Sequence, residues 1–488
     1  MQKAGKVLVQ VAGRFLFIGI LVQILFGICW GVRSFGIFPE FGDSYLWLKA
    51  ADTLVCDDYM GIGYPLFLML AKGIESISSI PYTFLVYLVQ LTVAFCSGVL
   101  FLRSFGIVKK RWMLYWGSLG MMTFPMAMQC HLAVLPNSIG FSCMLLELAA
   151  IIRILRSEKS VSAEEAGRPL HALMEAIVWW VVSTIFVVEN LYLGLVALAV
   201  LWILHLIQLK QLGKQRILRE LILIFAVGGI LFTVVPAWQT PGSYGRAENT
   251  ISAAMMRRFS WTHMREEEEY YAWPEELREY VSWEDFRSTG YYAGTMESGI
   301  QKTLEGTLGE QKAQELFRKY AVYHLKTYPS DNIHQIVWDC AGYAVPPVLL
   351  QLLLDGRGYE SFSGRNVDIM MTGAPGLTNI WLKYSSWWYL MGIPAMILLV
   401  IGNRFVAGSA KKETTGMGKP VWGKMILIGI VTSGCMILWY AMQDAGCLDY
   451  KNGLLPGILW LAGMILSVGN LPETEDPEEK EETKGTGI

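Results

Sequence analysis

Long apolar segments recur along the 488-residue chain and constrain its fold more than any other feature. Each runs for roughly 18 to 22 residues, the length that an α-helix needs to cross about 30 Å of hydrocarbon. Soluble domains usually carry about 25% charged residues, whereas only 17% of this chain is charged and 53% is hydrophobic. The chain is therefore predicted to be an all-α polytopic membrane protein.

About ten transmembrane helices are predicted from these segments. They cover residues 13–32, 82–102, 112–130, 137–155, 172–189, 191–209, 220–239, 384–403, 424–443 and 453–469. Lysine and arginine concentrate in the connections that follow the even-numbered spans, for example in residues 103–111. Positively charged connections remain in the cytoplasm. Because no cleavage site follows the first apolar run, the N-terminus and the C-terminus are both predicted to lie in the cytoplasm of a bacterial cell.

This topology leaves two substantial regions on the outer face, a first loop at 33–81 and a larger region at 240–383. Residues 62–71 and 336–354 are apolar, but the first segment is too short to span and the second contains Asp339 and two prolines, so both are predicted to be interfacial. The expected division is a transmembrane module at 1–239, a mainly helical extracytoplasmic region at 240–383, transmembrane helices at 384–470 and a disordered acidic tail at 471–488.

The eight cysteines are scattered singly, so neither a zinc site nor a disulfide framework is indicated. No glycine-rich phosphate loop and no nucleic-acid-binding motif is present in the sequence. No nucleic-acid partner is therefore expected.

The first outer loop carries one acidic residue in an aromatic setting, Phe41-Gly42-Asp43-Ser44-Tyr45. A small-residue amphipathic helix around residues 50–52 follows, and then a proline-bearing apolar segment at residues 61–66. A carboxylate held at a membrane surface between apolar elements suits general-base chemistry on a lipid-linked substrate.

This order of elements resembles the GT-C superfamily of membrane glycosyltransferases, which includes the protein mannosyltransferases and the lipid A aminoarabinose transferases. The number of spans and the large outer region near the C-terminal third are also similar. The resemblance implies that Asp43 is the catalytic base. It would deprotonate an acceptor that attacks the anomeric carbon of a sugar on polyprenyl phosphate, with inversion. The implied partners are this donor, membrane lipid and a glycan, lipid or protein acceptor.

The chain departs from that superfamily at two places. Many members carry a lysine before two prolines where this chain reads Gly63-Tyr64-Pro65. Members also often have a second acidic residue in the next outer loop, whereas residues 129–137 contain no carboxylate. Without paired acids a divalent metal is not supported, so no metal ligand is assigned and the cofactor remains open.

Other polar residues of the predicted outer regions are candidates for substrate binding. Those near the spans are Tyr45, Asp57, Asp58, His131 and Glu189; the outer arginines are Arg246, Arg257, Arg258 and Arg365. Arginine suits the donor phosphate because its guanidinium binds phosphate in a planar, bidentate manner. Each candidate also has an ordinary alternative, since aspartates form caps and turns and aromatic residues are common at membrane interfaces.

Glu147 lies inside the fourth predicted span, where an unpaired carboxylate is costly. Two interpretations are open, a structural pair with Arg153 or a polar group that lines a cavity, and the structural role is favoured.

Two other functions compete with glycosyl transfer. A polysaccharide polymerase or ligase would use Arg257, Arg258 and His334 of the large outer region instead of Asp43. A transporter or flippase would need broken helices and polar residues near the bilayer midplane, usually in repeated halves. No internal repeat is visible in the sequence.

Overall fold

The structure is a computed structural model. It describes residues 2–36, 44–56, 60–106, 108, 111–157, 167–207, 214–238, 267–272, 275–284, 302–344, 375–407, 434–435, 437–438 and 454–469. These residues are organised as helices with no strand among them, and Met60 and Val187 form an isolated antiparallel bridge. The predicted all-α class is confirmed.

The helices follow one another in this order. They are α1 (Gln2–Ser34), α2 (Ser44–Thr53), α3 (Gly63–Ser78), α4 (Tyr82–Ser104), α5 (Arg111–Met122), α6 (Pro125–His131), α7 (Asn137–Ser157), α8 (Gly167–Phe186), α9 (Asn190–Ile207), α10 (Lys214–Trp238), α11 (Glu267–Ala272), α12 (Glu275–Arg278), α13 (Lys302–Leu308), α14 (Glu310–Thr327), α15 (Pro329–Ala344), α16 (Pro375–Ala407) and α17 (Leu454–Gly469).

Four of these helices contain stretches long and apolar enough to cross a membrane. The stretches are Ala4–Ser34, Tyr82–Ser104, Asn137–Arg156 and Ile217–Trp238; two shorter apolar stretches cover Leu170–Phe186 and Asn190–Leu206. The chain is thus a helical membrane protein, and the total of about ten spans stays a prediction. The predicted span at 424–443 lies almost wholly outside the described residues.

The predicted span 112–130 is not continuous, because α5 ends at Met122 and α6 begins at Pro125. Proline has no N–H to donate to the preceding turn, so a helix breaks or kinks there. At the break the Thr123 hydroxyl donates to the carbonyl of Leu119 at 2.8 Å. The Thr123 backbone N–H donates to the same carbonyl at 2.9 Å, so both donors of Thr123 close the last turn of α5.

The first loop folds into a pair of helices, α2 and α3, that pack against each other. With 16 residues α3 is about 24 Å long, less than the hydrocarbon thickness of about 30 Å. It exposes apolar side chains, including Leu70 at 63% and Ile77 at 88%. Its length and composition are those expected of the interfacial element predicted at 62–71, although the helix extends seven residues beyond that segment.

In the large outer region α14 ends at Thr327 and α15 begins at Pro329, because proline can start a helix but cannot continue the preceding one. The apolar segment predicted at 336–354 begins inside α15, and its residues 345–354 lie outside the described part of the chain.

The core of the bundle is α7, whose apolar stretch is 94% buried between α4 and α8. On another side of the molecule α1 packs along α16. Within that pair the Trp30 indole donates to the Thr378 hydroxyl at 2.9 Å, and the Ser385 hydroxyl donates to the Gln23 side chain at 2.7 Å. The N-terminal transmembrane helices and α16 therefore form one packed unit.

The first loop lies at the same end of the bundle as two later connections. Gln90 in α4 binds backbone carbonyls at the C-terminus of α6 and just beyond it, and Met60 pairs with Val187 between α8 and α9. We call this the loop end, defined by α2, α3 and the connections 132–136 and 187–189. The charge pattern predicted that these segments share one side of the membrane, and they do share one end of the bundle. Which compartment that end faces remains a prediction.

Candidate functional site

The pair formed by α2 and α3 is fixed firmly on the loop end. Ser44, the first residue of α2, is fully buried, and Trp47 one turn later is 5% exposed. Where the chain enters α3, a Cβ on Gly61 would lie 2.8 Å from the carbonyl oxygen of Phe186. Only glycine permits that approach. Asp43 lies outside the described residues, but the residue directly after it is anchored.

A second contact ties the two helices of the first loop to each other. The Lys72 ammonium of α3 lies 2.6 Å from an Asp52 carboxylate oxygen of α2. Both side chains are partly exposed, at 29% and 63%, so this ion pair contributes little to stability. Burial of Trp47 and Tyr64 between the helices has the larger effect.

Tyr64 and Gln90 connect the first loop to the bundle. The Tyr64 hydroxyl donates to the Gln90 side-chain oxygen at 3.0 Å, and both residues are fully buried. Burial raises the pKa of Tyr64 well above its usual value, with smaller contributions from Tyr87 and Tyr82. The phenol therefore remains a hydrogen-bond donor throughout the physiological pH range.

His131 is the last residue of α6 and is 3% exposed. Its Nδ1 lies 2.7 Å from the Ser138 hydroxyl in the first turn of α7. A small cavity beside this pair has room for about one water molecule (about 10 Å³), and Ser97 of α4 and Ser142 of α7 also line it. The predicted candidate His131 is thus a hydrogen-bonded, buried histidine next to a partly polar cavity.

The other predicted site residues divide into two groups. Tyr45 lies on α2 and is 56% exposed, and Glu189 lies half-buried in the turn between α8 and α9. Both therefore occupy the loop end, on elements close to those that carry His131. Outside the described residues lie Asp43, Asp57, Asp58, Arg246, Arg257, Arg258 and Arg365.

Glu147 is not paired with Arg153, so that interpretation is wrong. The Arg153 guanidinium lies 2.5 Å from the carboxylate of Glu175 in α8. Glu147 is 1% exposed, and both its carboxyl oxygens have no hydrogen-bond partner among the described residues. It lies beside Gly194 of α9, because a Cβ added to that glycine would be 2.9 Å from the Glu147 Oε2.

Three buried glutamines were not identified as important from the sequence. Gln23 of α1 donates to the carbonyl of Thr123 at 2.9 Å, at the break between α5 and α6. Gln90 binds the opposite end of α6. Gln129 within α6 is 3% exposed, and neither atom of its amide has a partner in the described part of the chain. The sequence feature that could have identified these glutamines is an amide side chain inside an apolar segment. Such amides are rare there because burying an amide without a hydrogen-bond partner is costly.

The described residues contain no group of three or more His, Cys, Asp or Glu side chains that could hold a metal ion. The chemistry available among them at the loop end is hydrogen bonding by Tyr64, Gln90, His131 and Ser138. Comparison of the chain with protein-family models, with curated proteins and with solved structures found no match.

Proposed function

We propose that this protein is a membrane glycosyltransferase that transfers a sugar from a polyprenyl-phosphate-linked donor to an acceptor at the outer face of the membrane. The observation that carries the proposal is the anchored pair α2 and α3. It begins at the buried Ser44, which directly follows Asp43 in the sequence. Asp43 and Glu40 are the two acidic residues of the segment 33–51. A carboxylate beside a fixed platform suits a base that must meet a lipid-linked substrate.

The exposed surface of α3 suits the lipid part of such a donor. Leu66, Leu70 and Ile77 recur at helical spacing on its exposed side, whereas Tyr64 and Leu68 are buried against the bundle. An interfacial helix with apolar residues on its exposed side buries them in the boundary of the bilayer. The donor's hydrocarbon and the first loop would then lie at the same depth.

The reaction balances with Asp43 as general base. Its carboxylate takes the proton of an acceptor hydroxyl or amine, and the acceptor attacks the anomeric carbon as the bond to the phosphate oxygen breaks. Polyprenyl phosphate leaves with the bonding electrons, and the anomeric configuration inverts. Cationic side chains stabilise the leaving phosphate, and the proposed cations are Arg246, Arg257, Arg258 and Arg365. No metal is required by this scheme.

The test is sugar transfer from a radiolabelled polyprenyl-phosphate sugar to endogenous acceptor in membranes that contain the Asp43→Asn variant. General-base catalysis contributes about 10²–10⁴ in rate, so transfer should fall at least 100-fold with the protein inserted at wild-type levels. Asp52→Asn is the matched control, because Asp52 lies in the adjoining helix and forms an exposed ion pair with Lys72. Full transfer by Asp43→Asn would refute the assignment.

A transporter or flippase is the second candidate, and a different observation favours it. The third predicted span is two helices, and Glu147 lies buried in α7 without a partner among the described residues. Broken helices and intramembrane acids are typical of transport pathways. If Glu147→Gln abolished translocation of a labelled polyprenyl-phosphate sugar in liposomes while Asp43→Asn left glycosyl transfer intact, transport would replace transfer as the proposed function.

A further inference from the structure

Gln90 uses its whole amide group to join three parts of the chain. Its Nε2 donates to the carbonyls of His131 and Ala133, each at 2.9 Å, and lies 3.4 Å from that of Cys130. Its oxygen accepts the Tyr64 hydroxyl at 3.0 Å. Gln90 is fully buried, so none of these partners can be replaced by bulk water.

Two acceptors of Gln90, the carbonyls of Cys130 and His131, lie at the C-terminus of α6, and the third, the Ala133 carbonyl, lies just beyond it and also accepts the Leu135 amide at 2.9 Å. The Leu132 amide donates to the Met128 carbonyl, but because α6 ends at His131 the helix supplies no further amide for the carbonyl of its last residue. In a membrane protein such groups must be satisfied by neighbouring side chains. The position of the connection 132–136 is therefore set by a side chain of α4.

Tyr64 carries this constraint into the first loop. Its ring meets the Trp47 ring edge-on, with centroids 5.6 Å apart and planes at 89°, and packs against Phe67. Trp47 belongs to α2, four residues after Asp43. A continuous chain of contacts thus runs from α2 through Tyr64 and Gln90 to the connection that follows His131.

We propose that Tyr64 and Gln90 are positioning residues that hold the first loop in register with the connection between α6 and α7. Together they fix the segment that follows Asp43 relative to the pair of His131 and Ser138. Their catalytic meaning rests on the proposed glycosyl transfer, whereas their effect on the first loop does not. A base displaced by about 1 Å can lose about 100-fold in rate.

Gln23 provides a matched control within the same molecule. It is also fully buried, and it binds the opposite end of α6 through the carbonyl of Thr123 while accepting the Ser385 hydroxyl. Its hydrogen bonds reach α16 and the α5–α6 break instead of the first loop. Replacing Gln23 and Gln90 by leucine removes equivalent groups with different expected consequences.

Hydrogen–deuterium exchange of the full-length protein in lipid nanodiscs tests the proposal. In Tyr64→Phe the amides of α2 and α3 should exchange about tenfold faster, since one buried hydrogen bond is lost, while α1 and α16 are unchanged. In Gln90→Leu the connection 132–136 should also exchange faster. In Gln23→Leu the increase should appear at the α5–α6 break, with α2 and α3 unaffected.

Two results would overturn the proposal. One is unchanged exchange of α2 and α3 in Tyr64→Phe and Gln90→Leu; the other is a uniform increase through the bundle, which would indicate general stability only. If Gln90→Leu fails to fold, Tyr64→Phe alone decides, because it removes a single hydroxyl. Should Asp43→Asn retain transfer, the glycosyltransferase assignment fails while the exchange result still stands. If Asp43→Asn is inactive but exchange is unchanged, only the positioning role fails.

Discussion

Gly27 of α1 offers a sharp test of how the break in the third predicted span is packed. A Cβ built on Gly27 would lie 2.5 Å from the Thr123 Cβ and 2.6 Å from the Thr123 carbonyl oxygen. That oxygen also accepts the hydrogen bond from Gln23, and it cannot rotate away because it belongs to the backbone. Gly27→Ala must therefore push α1 and the break apart by several tenths of an ångström.

The magnitude follows from two opposed effects. Replacing glycine by alanine inside a helix is worth about 0.5–1 kcal/mol of stability, while an extra methyl group in a filled core costs about 1–3 kcal/mol. The difference between the two effects predicts that Gly27→Ala lowers the free energy of unfolding by about 1 kcal/mol, and by about 2.5 kcal/mol at most. Gly73→Ala in α3 is the control, because nothing lies within 4 Å of its Cβ position, and it should raise the same quantity by about 0.5–1 kcal/mol.

The assay is a denaturant titration of the two purified variants and the wild type in the same detergent. Helical content, measured at each denaturant concentration, is the readout. Both glycines are helical, so both variants gain the same helix propensity, and a difference between them measures the steric overlap of the added methyl group at Gly27. Equal shifts for Gly27→Ala and Gly73→Ala would refute the close approach of α1 to the break.

Two further predictions concern buried polar groups on α7, α8 and α9. Glu147→Gln keeps the side-chain volume and removes a potential unpaired charge, so the unfolding free energy should be unchanged or higher; a loss above about 1 kcal/mol in the same titration would reveal a partner for the carboxylate. Ser183→Ala removes the acceptor that lies 2.6 Å from the buried Asn190 amide nitrogen and should cost about 1–3 kcal/mol, whereas an unchanged midpoint would contradict this bond.

Hydropathy predicted the long helices well, because burial in lipid requires a continuous apolar stretch whatever the neighbours are. The candidate spans in α1, α4, α7 and α10 overlap the apolar windows predicted from the sequence, and the one in α1 begins nine residues before its window. The break before α15 was also predictable, since Tyr328-Pro329 interrupts a helix locally. The same rule applied to Pro125 would have divided the third predicted span. The span was predicted from average hydropathy instead, and a single proline changes that average little.

Pairing of charges was less predictable, and Glu147 shows why. Residues six apart on a helix point about 120° away from each other, so Arg153 was poorly placed to reach it. The true partner of Arg153 is Glu175, on the next helix, which depends on how α7 and α8 pack. Sequence spacing within one helix carries no information about such contacts. For the same reason the contact between Tyr64 and Gln90, 26 residues apart, could not be inferred.

The buried glutamines explain how an irregular segment is held within an apolar bundle. The break at Thr123 and the end of α6 at His131 each leave backbone carbonyls that lipid cannot satisfy. Gln23 and Gln90 supply the donors from α1 and α4, so both ends of this short helix are fixed to spans that are regular in themselves. Because Gln90 also binds Tyr64, the side chain that completes the end of α6 sets the position of the first loop as well.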